Sequence, residues 1–171
     1  MNRLPIVLMP GLLAALLTAS PALPLASGQP ERALSTPSPG LRLTTLLDGA
    51  RLQPGRPLQL KVDLRNEGAG QVPIPGAGRC DPALQLTIWG ADGGVAWAQG
   101  LPLCQEYGRD PLPIVLAAGG SISATRCLAL AVDAARLGGR CALVDLPSGT
   151  YQVGGNFHGM TLPRLEITLA P

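Results

Sequence analysis

The strict alternation of residues 58–65 is the feature that most constrains the fold of this chain. Leu58, Leu60, Val62 and Leu64 fall at every second position, with a glutamine and three charged residues between them. Residues two apart share a face of a β-strand, so the pattern predicts a strand with one buried and one solvated side. The same period recurs at 41–47, 84–89, 95–98, 114–116, 121–130, 150–157 and 164–169.

Seven or eight such strands with turn residues between them predict an all-β fold, an antiparallel β-sandwich of the immunoglobulin-like kind. A barrel is the alternative. Segment 146–151 favours the sandwich, because a turn at Gly149 brings Tyr151 to a strand start, as in a tyrosine corner. The other interpretation of Tyr151 is a core ring with a solvated hydroxyl. Residues 133–138 look helical, with Asp133 as cap and Gly138 as the end.

The start of the chain has the pattern of an export signal. Arg3 precedes an apolar run over 4–19, and the small residues Ser20 and Ala22 suit a signal peptidase, so we expect a signal peptide at 1–22. A retained membrane anchor is the alternative, but two prolines interrupt the run and it is shorter than the roughly 20 residues of a span. The Pro- and Ser-rich segment 23–40 is expected to be a flexible linker. This leaves 41–171 as one domain.

Four cysteines behind an export signal predict an oxidising location, either periplasm, cell envelope or extracellular, and two disulfides. Asp92 and Gly93, between two apolar runs, predict a hairpin with those two residues as its loop. Counting outward from them, Cys80 and Cys104 fall one residue out of register, which a single bulge corrects. Of the three connectivities, we therefore predict Cys80 with Cys104 and Cys127 with Cys141. With only five aromatic residues in the chain, such bonds matter for stability.

The order of the strand and turn motifs resembles a known family. The motifs are PGRPLQLKVDLRN at 54–66, LTIWGADGGVAW at 86–97, VLAAGGS at 115–121 and LPSGTYQVGG at 146–155. Their succession is similar to that of the intracellular proteinase inhibitor (BsuPI) family of bacterial immunoglobulin-like domains, over most of residues 41–170. The resemblance implies an immunoglobulin-like sandwich and, less specifically, proteinase inhibition. The matching positions are structural, so it implies no inhibitory residue.

The sequence offers little for catalysis. His158 is the single histidine and falls at the end of a predicted strand, with no pattern of an activated nucleophile, so we expect no enzyme. A hydrolase that uses His158 is the third hypothesis for function. The cysteines lack zinc spacing, and Asp48, Asp81 and Asp110 do not cluster for calcium, so we expect no metal and no cofactor. Scattered arginines and a net charge of +2 argue against nucleic acid.

The segment 105–110 has the residue types of a protein-binding loop. It is bounded by Cys104 and by prolines, and rigid loops of this kind often bind partners. An ordinary connection is the alternative. The leading hypothesis is an exported, monomeric, non-enzymatic binding or structural module with a protein partner, not inserted in a membrane after signal removal. The second hypothesis is a proteinase inhibitor that presents residues 105–110. The candidate binding residues are Gln105, Glu106, Tyr107 and Arg109.

Overall fold

The structure is a computed structural model and describes residues 31–76, 83–100, 112–137 and 139–170. Several predictions lie outside these ranges. They concern the signal peptide at 1–22, the disulfide between Cys80 and Cys104, the candidate loop 105–110 and the helix end at Gly138.

The described residues form twelve strands and one short helical segment. The segment is a 3-10 turn at Ala131–Asp133 that runs into the single-turn helix α1 at Ala134–Leu137. The strands are β1 (Glu31–Ser38), β2 (Leu41–Leu47), β3 (Arg51–Leu52), β4 (Leu58–Asn66), β5 (Val72–Ile74), β6 (Leu84–Trp89), β7 (Val95–Ala98), β8 (Ile114–Leu116), β9 (Ser121–Leu130), β10 (Ala142–Val144), β11 (Gly149–Phe157) and β12 (Met160–Leu169).

These strands form two five-stranded sheets and one two-stranded ribbon. The first sheet has the order β1-β2-β4-β9-β10, the second has the order β3-β12-β11-β6-β7, and β5 pairs with β8. Within the described residues the neighbours are antiparallel, except that β10 runs parallel to β9 and β3 runs parallel to β12. The fold is all-β, as the alternation predicted.

The two large sheets share one apolar core. In β4 the leucines and Val62 are buried, whereas the residues between them are exposed or half-buried. β6 and β12 of the second sheet bury every second residue in the same way over most of their length. The buried side chains of both sheets belong to a single cluster, in which Phe157 is the largest fully buried side chain of the described residues. Leucine, isoleucine and valine supply the rest.

Residues 31–38 form a strand, contrary to the predicted linker over 23–40. They are β1, an edge strand antiparallel to β2. Leu34 is 55% exposed, so the backbone ladder to β2 holds the strand more than a buried face does. The register shifts between Ser35 and Ser38, where Pro37 has no N–H to donate. A strand with so little apolar periodicity gives no clear signal in the sequence.

The helical segment lies where it was predicted, but Asp133 does not cap it. Leu130 occupies the N-cap position without a side-chain cap. Both carboxylate oxygens of Asp133, which is buried, accept the N–H of Gly55 at 3.0 Å. Asp133 therefore ties the helical segment to the turn between β3 and β4.

The hairpin of β6 and β7 has three loop residues where two were predicted. The N–H of Gly93 donates to Gly90 at 3.0 Å, and the N–H of Gly90 donates to Gly94 at 2.9 Å. With Gly93 at φ +77°, this is a type I turn followed by a bulge. Oδ1 of Asp92 accepts the N–H of Gly94 at 3.0 Å, which stabilises the turn. A register shift beyond Trp89 then restores the pairing that a two-residue loop predicts.

Candidate binding cleft

The structure contains the disulfide predicted between Cys127 and Cys141. Cys127 lies in β9 and Cys141 immediately precedes β10. β10 has three residues and begins with Ala142 opposite Leu128 of β9. The disulfide therefore holds a very short edge strand against its neighbour.

Tyr151 makes the hydrogen bond of a tyrosine corner. Its hydroxyl donates to the carbonyl of Pro147, four residues upstream, at 3.0 Å, and its ring packs against the core. A Cβ on Gly149 would make an ordinary van der Waals contact with Cε2 of the ring, at 3.4 Å, so the ring does not require glycine there. Tyr151 is thus a structural residue.

His158 is built into the fold. It forms the two-residue loop between β11 and β12 with Gly159, and φ is positive at both residues (48° and 77°), as in a type I′ turn. The residue is 5% exposed, and its Nδ1–H donates to the carbonyl of Pro75 at 2.7 Å. Its backbone N–H donates to the carbonyl of Ala83 at 2.8 Å. These contacts give His158 a structural role.

Asn66 is a fully buried polar residue that the sequence did not single out. Its Nδ2 donates to the carbonyls of Gly70, Leu116 and Ala117 at 2.7, 3.1 and 3.1 Å. Its Oδ1 accepts the N–H of Gly68 at 2.9 Å. Both ends of the amide are satisfied, so Asn66 fixes the end of β4 to the loops around it.

A cleft of about 370 Å³ opens at one edge of the molecule. Three runs of residues line it, namely 97–100 from the end of β7, 126–127 in β9 and 139–143 leading into β10. β7 and β10 are terminal strands of their respective sheets. We call this site the edge cleft, because it lies between the two sheets where both of them end.

Strand register places three side chains on the inner faces of the sheets at the edge cleft. Arg126 lies opposite Leu60, and Trp97 lies opposite Ile88, and both of these partners are fully buried. Directly opposite residues share a face of the sheet, so Arg126 and Trp97 lie on the core side. Gln99 follows Trp97 by two residues and shares its face.

Two buried polar atoms of the edge cleft have no hydrogen-bond partner among the described residues. They are Nε of Arg126 and Oε1 of Gln99. Three further such atoms, in Ser35, Thr45 and His158, belong to residues outside the lining of the cleft. A buried polar group without a partner costs about 1–3 kcal/mol, and more when it is charged, and native proteins keep few of them.

The edge cleft is also electropositive. Among the described residues, its lining contains Arg126 and Arg140 and no carboxylate residue. The single ion pair of the described ranges joins Arg42 to Glu67, at 3.0 Å on an outer face. Arg126 therefore has neither a hydrogen-bond nor an ion-pair partner in the part of the chain that the structure describes. The cleft offers guanidinium donors, an amide acceptor and the half-buried ring of Trp97 to a ligand.

Sequence reasoning missed this site, although β9 carries a signal for it. The inward positions of the strand predicted at 121–130 run Ile122, Ala124, Arg126 and Leu128. An arginine in a series of core positions breaks the binary pattern of the strand, and such a break marks a functional or strained position. Nothing local in the sequence brings Gln99 to it, because β7 and β9 belong to different sheets.

The remaining predictions concern metals and membranes. In the described ranges, no three or more His, Cys, Asp or Glu residues form a group that could hold a metal ion. Asp48, a calcium alternative, accepts the N–H of Gln59 through Oδ1 at 2.7 Å, and Asp81 and Asp110 lie outside the described residues. None of the helices described is long and apolar enough to cross a membrane.

No family model and no curated protein matches the chain. Among solved structures, it is similar to the alkylpurine DNA glycosylase AlkC of Pseudomonas fluorescens bound to DNA with an abasic site analogue, at 14% identity and a TM-score of 0.44. It is also similar to a β-glucosidase of Listeria innocua in complex with gluconolactone, at 14% identity and 0.38. The C-terminal domain of Wzt follows, at 10% identity and 0.37.

These matches cover 77%, 84% and 84% of this chain, respectively. The chain spans 31% of the glycosylase, 16% of the glucosidase and 79% of the Wzt domain. At TM-scores below 0.5 we take neither fold nor activity from them.

Proposed function

We propose that this protein is a non-enzymatic binding module whose ligand occupies the edge cleft. The observation that carries the proposal is the pair of unpartnered polar groups, on Arg126 and Gln99, inside one concave site. A ligand that bonds to both groups removes the cost of their desolvation. Concave sites with a few convergent polar groups on an apolar wall are the usual form of small-molecule sites.

Strand pairing and a disulfide bond hold the residues of the edge cleft in place. Arg126 and Cys127 lie within β9, which pairs with β4 on one side and with β10 on the other. The disulfide from Cys127 to Cys141 holds the adjacent part of the lining, residues 139–143, beside β9. A preformed site loses less conformational entropy when its ligand binds, so this construction supports a binding role.

The chemistry of the lining supports binding over catalysis. The cleft residues that the structure describes include no imidazole and no carboxylate, and their two cysteines are joined in the disulfide. General acid–base catalysis needs a group that exchanges protons near neutral pH, and arginine is always charged. The histidine of the hydrolase hypothesis, His158, is 5% exposed and is not among the residues that line the cleft.

The proposal includes an exported module with an immunoglobulin-like sandwich. The disulfide supports an oxidising location, and the bond from Tyr151 to Pro147 supports the sandwich class. The BsuPI resemblance and proteinase inhibition stay predictions, because residues 105–110 lie outside the described residues.

A thermal-shift panel tests the proposed function. The panel presents organic acids, phosphates, neutral sugars, sugar acids and amino acids to the wild type, to Arg126→Gln and to Arg42→Gln. Because a ligand of the native state stabilises it by mass action, we expect at least one class to raise the melting temperature of the wild type and of Arg42→Gln, but not of Arg126→Gln. The proposal fails when no class raises it, or when the rise persists in Arg126→Gln.

A further inference from the structure

We infer that the ligand of the edge cleft is a sugar acid, a pyranose ring that carries a carboxylate, as in a uronic acid. This inference rests on the proposed function, because it names the ligand class of the same cleft. Three features of the lining point to it: unpaired guanidinium groups, a buried amide oxygen and an indole ring.

The two arginines of the cleft indicate that the ligand carries a carboxylate. Arg126 and Arg140 line a cleft whose described residues include no acidic one, and the buried Nε–H of Arg126 lacks an acceptor among the described residues. A planar guanidinium forms two parallel hydrogen bonds with a planar carboxylate. An anion on the guanidinium of Arg126 balances a charge that no described carboxylate of the lining balances.

The side chain of Gln99 indicates that the ligand carries hydroxyl groups. Its buried Oε1 is an acceptor and needs a donor. A simple ionised carboxylate offers only acceptors, so it does not satisfy Gln99 and Arg126 together. A sugar hydroxyl both donates and accepts, and therefore suits the amide beside the guanidinium.

Trp97 and the volume of the cleft indicate that the ligand contains one or two sugar rings. The half-buried indole presents a flat apolar surface of the kind that packs against the C–H face of a pyranose. At about 370 Å³, the cleft lies at the small end of the roughly 300–1,000 Å³ of ligand sites, which suits one or two rings. An extended peptide would add along a strand edge, and β7 and β10 offer only four and three residues.

Tryptophan fluorescence provides the test. The chain has two tryptophans, so Trp89→Phe leaves Trp97 as the single reporter, and calorimetry on the wild type serves as a measurement without that substitution. The probes are D-galacturonate, D-galactose, N-acetyl-L-glutamate and inorganic phosphate. We expect saturable binding of galacturonate, with galactose at least about tenfold weaker because it lacks the charge-assisted bonds, a difference of about 1.4 kcal/mol.

The variants separate the ligand class from the existence of the site. Arg126→Gln is expected to bring galacturonate down to the affinity of galactose, while Arg42→Gln, on an outer face, leaves both unchanged. Equal affinities for galactose and galacturonate in the wild type, or unchanged galacturonate binding in Arg126→Gln, overturn the inference.

Tighter binding of acetylglutamate or of phosphate also overturns it, in favour of an acidic peptide or of a phosphate ligand. When none of the probes binds, the sugar-acid inference is likewise overturned. The thermal-shift panel then decides the proposed function separately, since a hit of another class that depends on Arg126 leaves the cleft a binding site.

Discussion

Two of the polar side chains on the inner side of the first sheet contrast with each other, Asn66 at the end of β4 and Arg126 in the adjacent β9. Asn66 is fully buried, and both ends of its amide bond to backbone groups. Arg126 carries a full charge, yet its buried Nε has no partner among the described residues. The alternation of a strand delivers both residues to the interior, so the partners around them, and not their position, separate a structural polar group from a ligand-binding one.

The two sites also respond differently to the loss of the side chain. Without Asn66, the carbonyls of Gly70 and Leu116 lose the donor that its side chain supplies. The N–H of Gly68 keeps the carbonyl of Gly40, and the carbonyl of Ala117 keeps the N–H of Gly120. Without Arg126, no described protein group loses a partner, and an uncompensated charge leaves the cleft. The contrast therefore predicts stability changes of opposite sign.

The largest effect is expected from Asn66→Ala. Each polar group left unsatisfied in the interior costs about 1–3 kcal/mol, so we expect the free energy of unfolding to fall by about 3 kcal/mol or more. Urea denaturation measures it, with Gln59→Ala on the exposed face of the same strand as a control within about 0.5 kcal/mol. A loss below about 1 kcal/mol would show that Asn66 is not the anchor described above.

A double variant, Cys127→Ser with Cys141→Ser, tests the wall of the edge cleft. The bond closes a loop with a sequence separation of 14, for which the chain-entropy estimate is about 3 kcal/mol of lost stability. Because the bond holds β10 in the lining, we also expect ligand affinity to fall more than it does in Asn66→Ala at equal fraction folded. Unchanged ligand affinity in the double variant would show that the disulfide does not maintain the binding site.

Tyr151→Phe is expected to have a smaller effect on stability. The hydroxyl of Tyr151 has a hydrogen-bond partner, as the amide of Asn66 does, but it lies at the surface. Loss of the bond to Pro147 is expected to lower the free energy of unfolding by about 1 kcal/mol, as measured by urea denaturation. Ligand binding at the edge cleft stays the same in this prediction. No change in stability would mean that the ring alone, and not the corner bond, holds the residue.

The sequence predicted the long strands because their alternation records burial directly, as in β4 and β9. It did not predict β1, whose pairing depends on the backbone of β2, or β3, β5 and β10, which are too short to show a period. The Asp92 turn was placed correctly, but its loop length was not, because the bulge at Gly93 depends on φ and leaves no separate pattern in the residues.

The edge cleft was beyond local sequence reasoning for a physical reason. Its residues come from β7, from β9 and from the segment before β10, and only the packing of two sheets brings them together. The predicted disulfide of Cys127 and Cys141 marked one wall of the cleft, and Arg126 stands one residue away from it. The missing information was that Nε of Arg126 has no partner among the described residues.

The most direct measurement is the free energy of unfolding of Arg126→Met, compared with that of the wild type in urea. Methionine keeps the apolar stem and removes the unpaired charge, so we expect stability to stay the same or rise by up to about 1 kcal/mol, while ligand binding at the edge cleft is lost. Arg42→Met, which breaks the exposed pair with Glu67, is the control and changes stability by less than about 1 kcal/mol. A loss of more than about 1 kcal/mol in Arg126→Met would contradict the account, because it would show that Arg126 stabilises the fold as Asn66 does.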